Sequence, residues 1–222
     1  MALFIGVDVQ GDELIVAFRR DGAFLPPARV VATAVEVRDY ALQHRQDAHE
    51  QVVVAIDAPR YYLTGIRFWC LNDAGVWVGT DLNSGRHCEI LVRRLGLANP
   101  QWTPNVNQPI PWITLGQQVF TTCDAEGFTT IECFPTASYT RFGQMNNIDL
   151  NIPGGMFAYN RLAHDILDAC VAALTAELFM VGNATELGGG DGYGTIVVPG
   201  VLQLPFPAYP TPLSGEPTSL PT

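Results

Sequence analysis

QVVVAIDAPR, residues 51–60, sets an unbroken apolar run, Val52 to Ile56, directly against a carboxylate, Asp57. Such a run reads as a strand buried on both faces. Burying an unpaired carboxylate is costly, so Asp57 is either a partnered residue or one kept for chemistry. An Asp before Ala-Pro is also a common turn-former that bonds its own backbone. The stretch alone leaves both readings open.

Working outward, LFIGVDV (3–9) and ELIVAF (13–18) flank the turn signal Gln10-Gly11-Asp12 and predict a β-hairpin. ARVVAT (28–33) predicts a third strand, and VEVRDYALQHRQDA (35–48) an amphipathic helix ahead of the opening stretch, which is then the fourth strand. This succession defines an α/β fold class with a mixed central sheet flanked by helices. Residues 60–127 are less legible and predict a helical and loop insertion. Within it GRHCEILVRRLG (85–96) reads as a helix stopped at Gly96, and the proline-rich 98–112 as loop or extended chain. FTTIECFP (128–135) predicts a fifth strand closed by Pro135. The segment 156–180, free of Gly and Pro, is the strongest helix signal, and 188–200 predicts a loop and a short strand. A single domain over 1–199 is expected, followed by a proline-rich tail, 200–222, that is extended or disordered.

Composition narrows the classes. The net charge is −10, and all 12 basic residues are Arg, with no Lys. An acidic chain is poorly suited to non-specific nucleic-acid binding, which depends on neutralising phosphates; a nucleic-acid partner has to rest on a local Arg patch. The 5 cysteines are scattered without Cys-x-x-Cys spacing and signal neither a zinc site nor a disulfide framework. No apolar run is long enough for a membrane span, so no membrane partner is expected. The opening MALFIGVDVQGDE lacks a basic n-region, and the expectation is a cytoplasmic protein.

The acids carry the chemical signal. Asp8 interrupts the first apolar strand, Asp57 ends the fourth, and Glu132 comes late in the fifth. Asp165 and Asp168 lie one turn apart on a helix that is apolar around most of its circumference, which predicts that they face a cavity in the protein. Each has an ordinary alternative: a turn bond near Gly11 for Asp8, pairing with Arg161 for Asp165. Taken together, crowded carboxylates need protons, arginines or metal to neutralise them. Oxygen-only ligands favour Mg²⁺ or Mn²⁺ over zinc.

IGVDV, AIDAP, GRHCEILVRRLG, IECFP, LDACVAALTA and GTIVVP occur in an order that resembles the domain of unknown function 429 family, over residues 3–199. The resemblance implies a ribonuclease H-like fold and a predicted nuclease activity. Carried over from the wider superfamily of junction resolvases, it implies Asp8 on the first strand, Asp57 on the fourth, and Asp165 and Asp168 on the late helix as metal ligands. Glu132 matches the family's own Glu-x-x-Pro motif and joins these four as a catalytic residue. Two divalent ions about 4 Å apart, bridged by Asp8, would activate water and stabilise the leaving oxygen of a phosphodiester. Arg86, Arg93 and Arg94, at i, i+7 and i+8 of a predicted helix, form a candidate phosphate clamp, with Arg161 added from the late helix. Glu89 and Arg93 could equally form a plain i, i+4 pair. His164 is either a proton-transfer group or a surface residue.

Two other classes compete. The superfamily also includes phosphotransferases of the actin and sugar-kinase type, but DVQG and DAPR lack the Asp-x-Gly turns that cradle phosphates, and GGGDGYG (188–194) has no following helix. A non-catalytic binding or regulatory protein retaining the fold is favoured by the acidity of the chain.

Overall fold

The structure is a computed structural model, described here for residues 2–145, 150–157 and 162–210. It opens with a hairpin, β1 (Ala2–Gln10) and β2 (Glu13–Arg20), paired antiparallel from Leu3 with Arg20 to Gln10 with Glu13. Two short strands, β3 (Ala23–Phe24) and β4 (Arg29–Val31), both pair with β2. The two-residue β3 was not expected from the sequence, and it makes the strand of the opening stretch the fifth. Helix α1 (Ala34–His44) is shorter than predicted. It starts at the N-cap Thr33, whose hydroxyl oxygen accepts from the Glu36 amide at 3.2 Å, while the Glu36 carboxylate accepts from Ala32 N–H.

Strand β5 (Gln51–Asp57) then lies parallel to β1, and β8 (Thr129–Glu132) parallel to β5, with β6 (Arg67–Leu71) and β7 (Trp77–Leu82) making a separate antiparallel hairpin between them in sequence. The central sheet runs β3-β2-β1-β5-β8, with β4 beside β2. It is mixed: antiparallel on the β2 side, parallel on the β8 side. The predicted α/β class with flanking helices is the observed one.

Period two along β1 and β5 decides which helix each residue meets. Leu3, Ile5, Val7 and Val9, with Val52, Val54 and Ile56, pack on α1 and on α3 (Pro111–Ala125) through Val37, Ala41, Val119 and Phe120. Phe4, Val53 and Ala55 face the other way, onto α5 (Ala163–Met180), through Ala172 and Ala176. Gly6 shares that second face, and a Cβ there would run into the Ala169 carbonyl oxygen and the Ala173 nitrogen. The missing side chain is what lets α5 lie on the strand. Asp8 and Asp57 share the same parity and so point to the α5 side.

Part of the predicted insertion is not peripheral. α2 (His87–Arg94) stands away from the central sheet, in a second apolar cluster with β9 (Ala184–Gly188) and β10 (Thr195–Pro199). α3, by contrast, packs into the main core. Residues 135–144, with no predicted element, form α4 (Pro135–Gln144): β8 ends at Glu132, before the predicted Pro135, and Pro135 instead opens a helix at its first position. α5 begins at Ala163, later than the predicted 156, and residues 154–156 form a short 3₁₀ turn. The tail from Gly200 to Pro210 has no helix or strand, yet it is packed. Leu202 and Phe206 join the second cluster, Trp77 Nε1–H donates to the Pro207 carbonyl at 3.0 Å, and Tyr209 meets the Trp77 and His87 rings. Residues 211–222 lie outside the described part. No helix among the described residues is long and apolar enough to cross a membrane.

Candidate active site

Four of the predicted acids come together where the parallel strands end. Asp8 and Asp57 are register partners at the carboxyl ends of β1 and β5. α5 runs back along β1 from this end, so that its first turns carry Asp165 and Asp168 to the same place while Ala169 and Ala173 cover Gly6. Asp8 is fully buried, Asp168 nearly so, and Asp57 and Asp165 partly.

Their electrostatics follow from this crowding. Burial, then the Asp168 charge, raises the Asp8 carboxyl from 3.8 to about 7. Burial, then the charges of Asp8 and Asp168, holds Asp57 well above the usual carboxylate range, and burial also raises Asp168. Neither Asp8 oxygen completes a hydrogen bond, nor does Asp168 Oδ1, although the Gln10 and Asp57 side chains approach Asp8, and the Tyr139 hydroxyl approaches Asp168, closely enough to offset part of the rise. Beside Asp168 stand the Tyr139 hydroxyl of α4, buried without completing a hydrogen bond, and His164, whose Nδ1 lies 3.1 Å from Asp168 Oδ2.

A group whose folded pKa lies above its unfolded one favours the fold while protonated. Stability from Asp8 is thus fully present below 3.8 and lost as pH rises through about 7. Metal-free protein is therefore expected to lose stability between about pH 4 and about pH 8. Asp8→Asn should flatten that slope and be more stable than wild type at the alkaline end, by about 1–4 kcal/mol. Thermal unfolding in chelator across this range checks it; equal slopes in the two proteins would count against the ionisation cost assigned to Asp8.

Glu132 is the acid that parity diverts. It pairs in register with Ile56, not Asp57, and so belongs to the opposite set of side chains. There Arg86 Nη1 and Nη2 donate to its two oxygens at 2.7 and 2.5 Å, and the Arg60 amide donates to Oε2 at 2.9 Å. Arg86 is 1% exposed and also grips Glu89 through Nε and Nη2 at 3.0 and 2.9 Å, with its remaining Nη1 hydrogen reaching the Tyr193 carbonyl. All five guanidinium hydrogens are thereby committed.

The arginines of the predicted clamp are not brought together. Arg86 is the buried N-cap of α2, whereas Arg94 pairs with Asp73 at 2.7 Å and Arg93 stacks over Trp102 at the other end. Glu89 is bonded to Arg86 and to Thr103, not to Arg93. Arg161 lies outside the described residues.

A cleft of about 380 Å³ opens at these strand ends, lined by Asp57 and Glu132 with Gln10, Trp112 and Phe134 among others. Crevices outside the carboxyl ends of parallel strands are the usual ligand sites of open α/β sheets. Tyr139 and Trp112 were missed in sequence because they lie on α4 and α3, which gave no helix signal, and Phe134 because it caps α4; proline at the first helical position of each helix was the available clue.

The donor chemistry suits a hard divalent cation: unpartnered, buried carboxylate oxygens crowded enough to repel one another. Among the described residues no group of three or more His, Cys, Asp or Glu side chains is placed to hold a metal ion as the side chains stand. The carboxyls that come nearest to one another are Asp8, Asp57 and Asp168, with Asp165 beside them. The fold and site define an α/β protein with a carboxylate cluster at the ends of its parallel strands. No family model, curated protein or solved structure matches the chain.

Proposed function

We propose that this chain is a metal-dependent phosphodiesterase of ribonuclease H-like fold, acting as a nuclease, with Asp8, Asp57, Asp165 and Asp168 binding Mg²⁺ or Mn²⁺. The observation that carries the reading is Asp8: a wholly buried carboxylate with two unpartnered oxygens, in register with Asp57 and pressed by Asp168. A fold tolerates such a group without a partner only at a cost in stability, which a bound cation removes.

A bound divalent ion would supply Lewis acidity and a water of lowered pKa for attack on phosphorus. Asp8 and Asp57 present their oxygens from adjacent strands on one face of the sheet, and that rigid base fixes the site. Asp168 closes it from α5, whose N-terminal dipole favours anionic groups there. His164, exposed and 3.1 Å from Asp168, is placed to exchange a proton between the site and solvent. Glu132 acts at one remove, tied to Arg86 and framing the cleft.

Purified protein with Mn²⁺ is expected to cleave single-stranded nucleic acid, and Asp57→Asn to lose at least about 100-fold in rate. Cleavage undiminished in Asp57→Asn would remove Asp57 from the site. Turnover of ATP in place of a phosphodiester would favour a phosphotransferase.

A further inference from the structure

The cleft beside the carboxylates has walls that do not suit a phosphate. Its apolar lining includes the flat Trp112 at the start of α3, Phe134 before α4, Val9 at the end of β1 and Ile196 of β10. Its polar lining includes two exposed amide side chains, Gln10 and Gln101, which can both donate and accept. Among the described lining residues the single cation is Arg86, and its five hydrogens are held by Glu89, Glu132 and Tyr193. Glu89 and Glu132 outnumber that one cation, and Asp57 adds a third carboxyl group. An anion placed there would meet carboxylates and no free donor of positive charge. A neutral, planar, hydrogen-bonding ring meets aromatic faces and amides, and 380 Å³ is in the size range of small-ligand pockets.

We propose that this cleft is a nucleobase pocket, so that the enzyme takes an unpaired or single-stranded nucleotide by its base and brings the adjoining phosphodiester to Asp8, Asp57 and Asp168. This rests on the phosphodiesterase reading for the second half of the statement, and on the cleft alone for the first. It accounts for an acidic chain acting on nucleic acid. With no arginine clamp formed by Arg86, Arg93 and Arg94, affinity comes from stacking and amide bonds to one base, and the ion carries the phosphate. A paired base inside a duplex cannot enter such a pocket without leaving its stack, which sets the preference for single strands.

The test separates the two readings by working first without metal. Homodinucleotides of each of the four bases, and ribose 5-phosphate as a base-free control, are titrated into the protein in chelator and followed by calorimetry and tryptophan fluorescence. At least one dinucleotide should bind while ribose 5-phosphate does not. Trp112→Leu, which removes the flat ring but keeps an apolar side chain against the core, and Gln101→Ala, an exposed change, should each weaken it, the former by about 10-fold or more, with the melting temperature of Gln101→Ala unchanged. Base binding with no metal-dependent cleavage would leave the pocket standing and sink the nuclease reading. Equal binding of ribose 5-phosphate, no dinucleotide binding, or full affinity in both variants would overturn the pocket. A duplex bound as tightly as its separated strand would also overturn it.

Discussion

Arg86→Met is expected to lose about 3–5 kcal/mol of folding stability, one of the two largest effects a single substitution should have here. The guanidinium sits between Glu132 and Glu89, with all three side chains buried and the shortest contact at 2.5 Å. Taking out the cation leaves two carboxylates in a low-dielectric interior with far fewer donors, and it is this residue of unpaired charge, more than the lost attraction, that destabilises. The deficit should shrink on acidification, because unpaired buried glutamates become protonated there. Replacing both acids by Gln in the Arg86→Met background should recover a large part of the loss. Urea unfolding of the wild type, the single and the triple variant measures both statements. A single variant within about 1 kcal/mol of wild type would show the triad to be solvated and unimportant.

The second large effect is at Gly6. Gly6→Ala should destabilise by more than about 4 kcal/mol, or prevent soluble folding, because the added methyl meets backbone atoms of α5, not a movable side chain. The nearest side-chain atom, the Ala172 Cβ at 2.9 Å, is already the smallest a helix can offer short of glycine. α5 would have to lift from β1, which opens the core containing Ala169, Ala172 and Ala173 and pulls Asp168 away from Asp8. Gly79→Ala, on the β6–β7 hairpin with nothing within 4 Å of the new Cβ, is the matched control and should change stability by no more than about 0.5 kcal/mol. Thermal unfolding of the pair separates close packing from the general effect of replacing a glycine in a strand. Equal behaviour would mean that α5 does not rest on Gly6.

Asp8 and Asp57 stand out in the sequence because a lone acid in a doubly apolar run is costly to bury, although a turn bond is an ordinary alternative for either. Asp168 followed from the breadth of the apolar surface around its helix. Glu132 sits in an equally apolar strand, but its partner in register is Ile56, and that single-residue offset sends it to Arg86. Strand register is a tertiary property that one strand's pattern does not contain. The Arg86–Arg93–Arg94 spacing was right for a helix and still gave no clamp: Arg86 is the cap before the first turn, where its side chain folds inward. α3 and α4 were hidden by prolines that looked like strand or loop signals and turned out to occupy first helical positions. Gly116, mid-α3, weakened the helical pattern further, yet it is there because a Cβ would strike Ala58. The hairpin of Arg67–Leu71 and Trp77–Leu82 has neither clean alternation nor a two-residue turn to announce it.

Calorimetric titration of Mn²⁺ into metal-free protein near pH 6, where Asp8 is still largely protonated, tests the proposal that the Asp8, Asp57 and Asp168 carboxylates form a cation site. Saturable binding with proton release is expected, since carboxyls held above their usual range must give up protons to the ion. Asp8→Asn should weaken it by at least about 100-fold. Glu186→Gln, on the exposed edge of β9, should leave it unchanged. Absence of Mn²⁺ binding in the wild type, or binding of the same affinity in Asp8→Asn, would contradict the account.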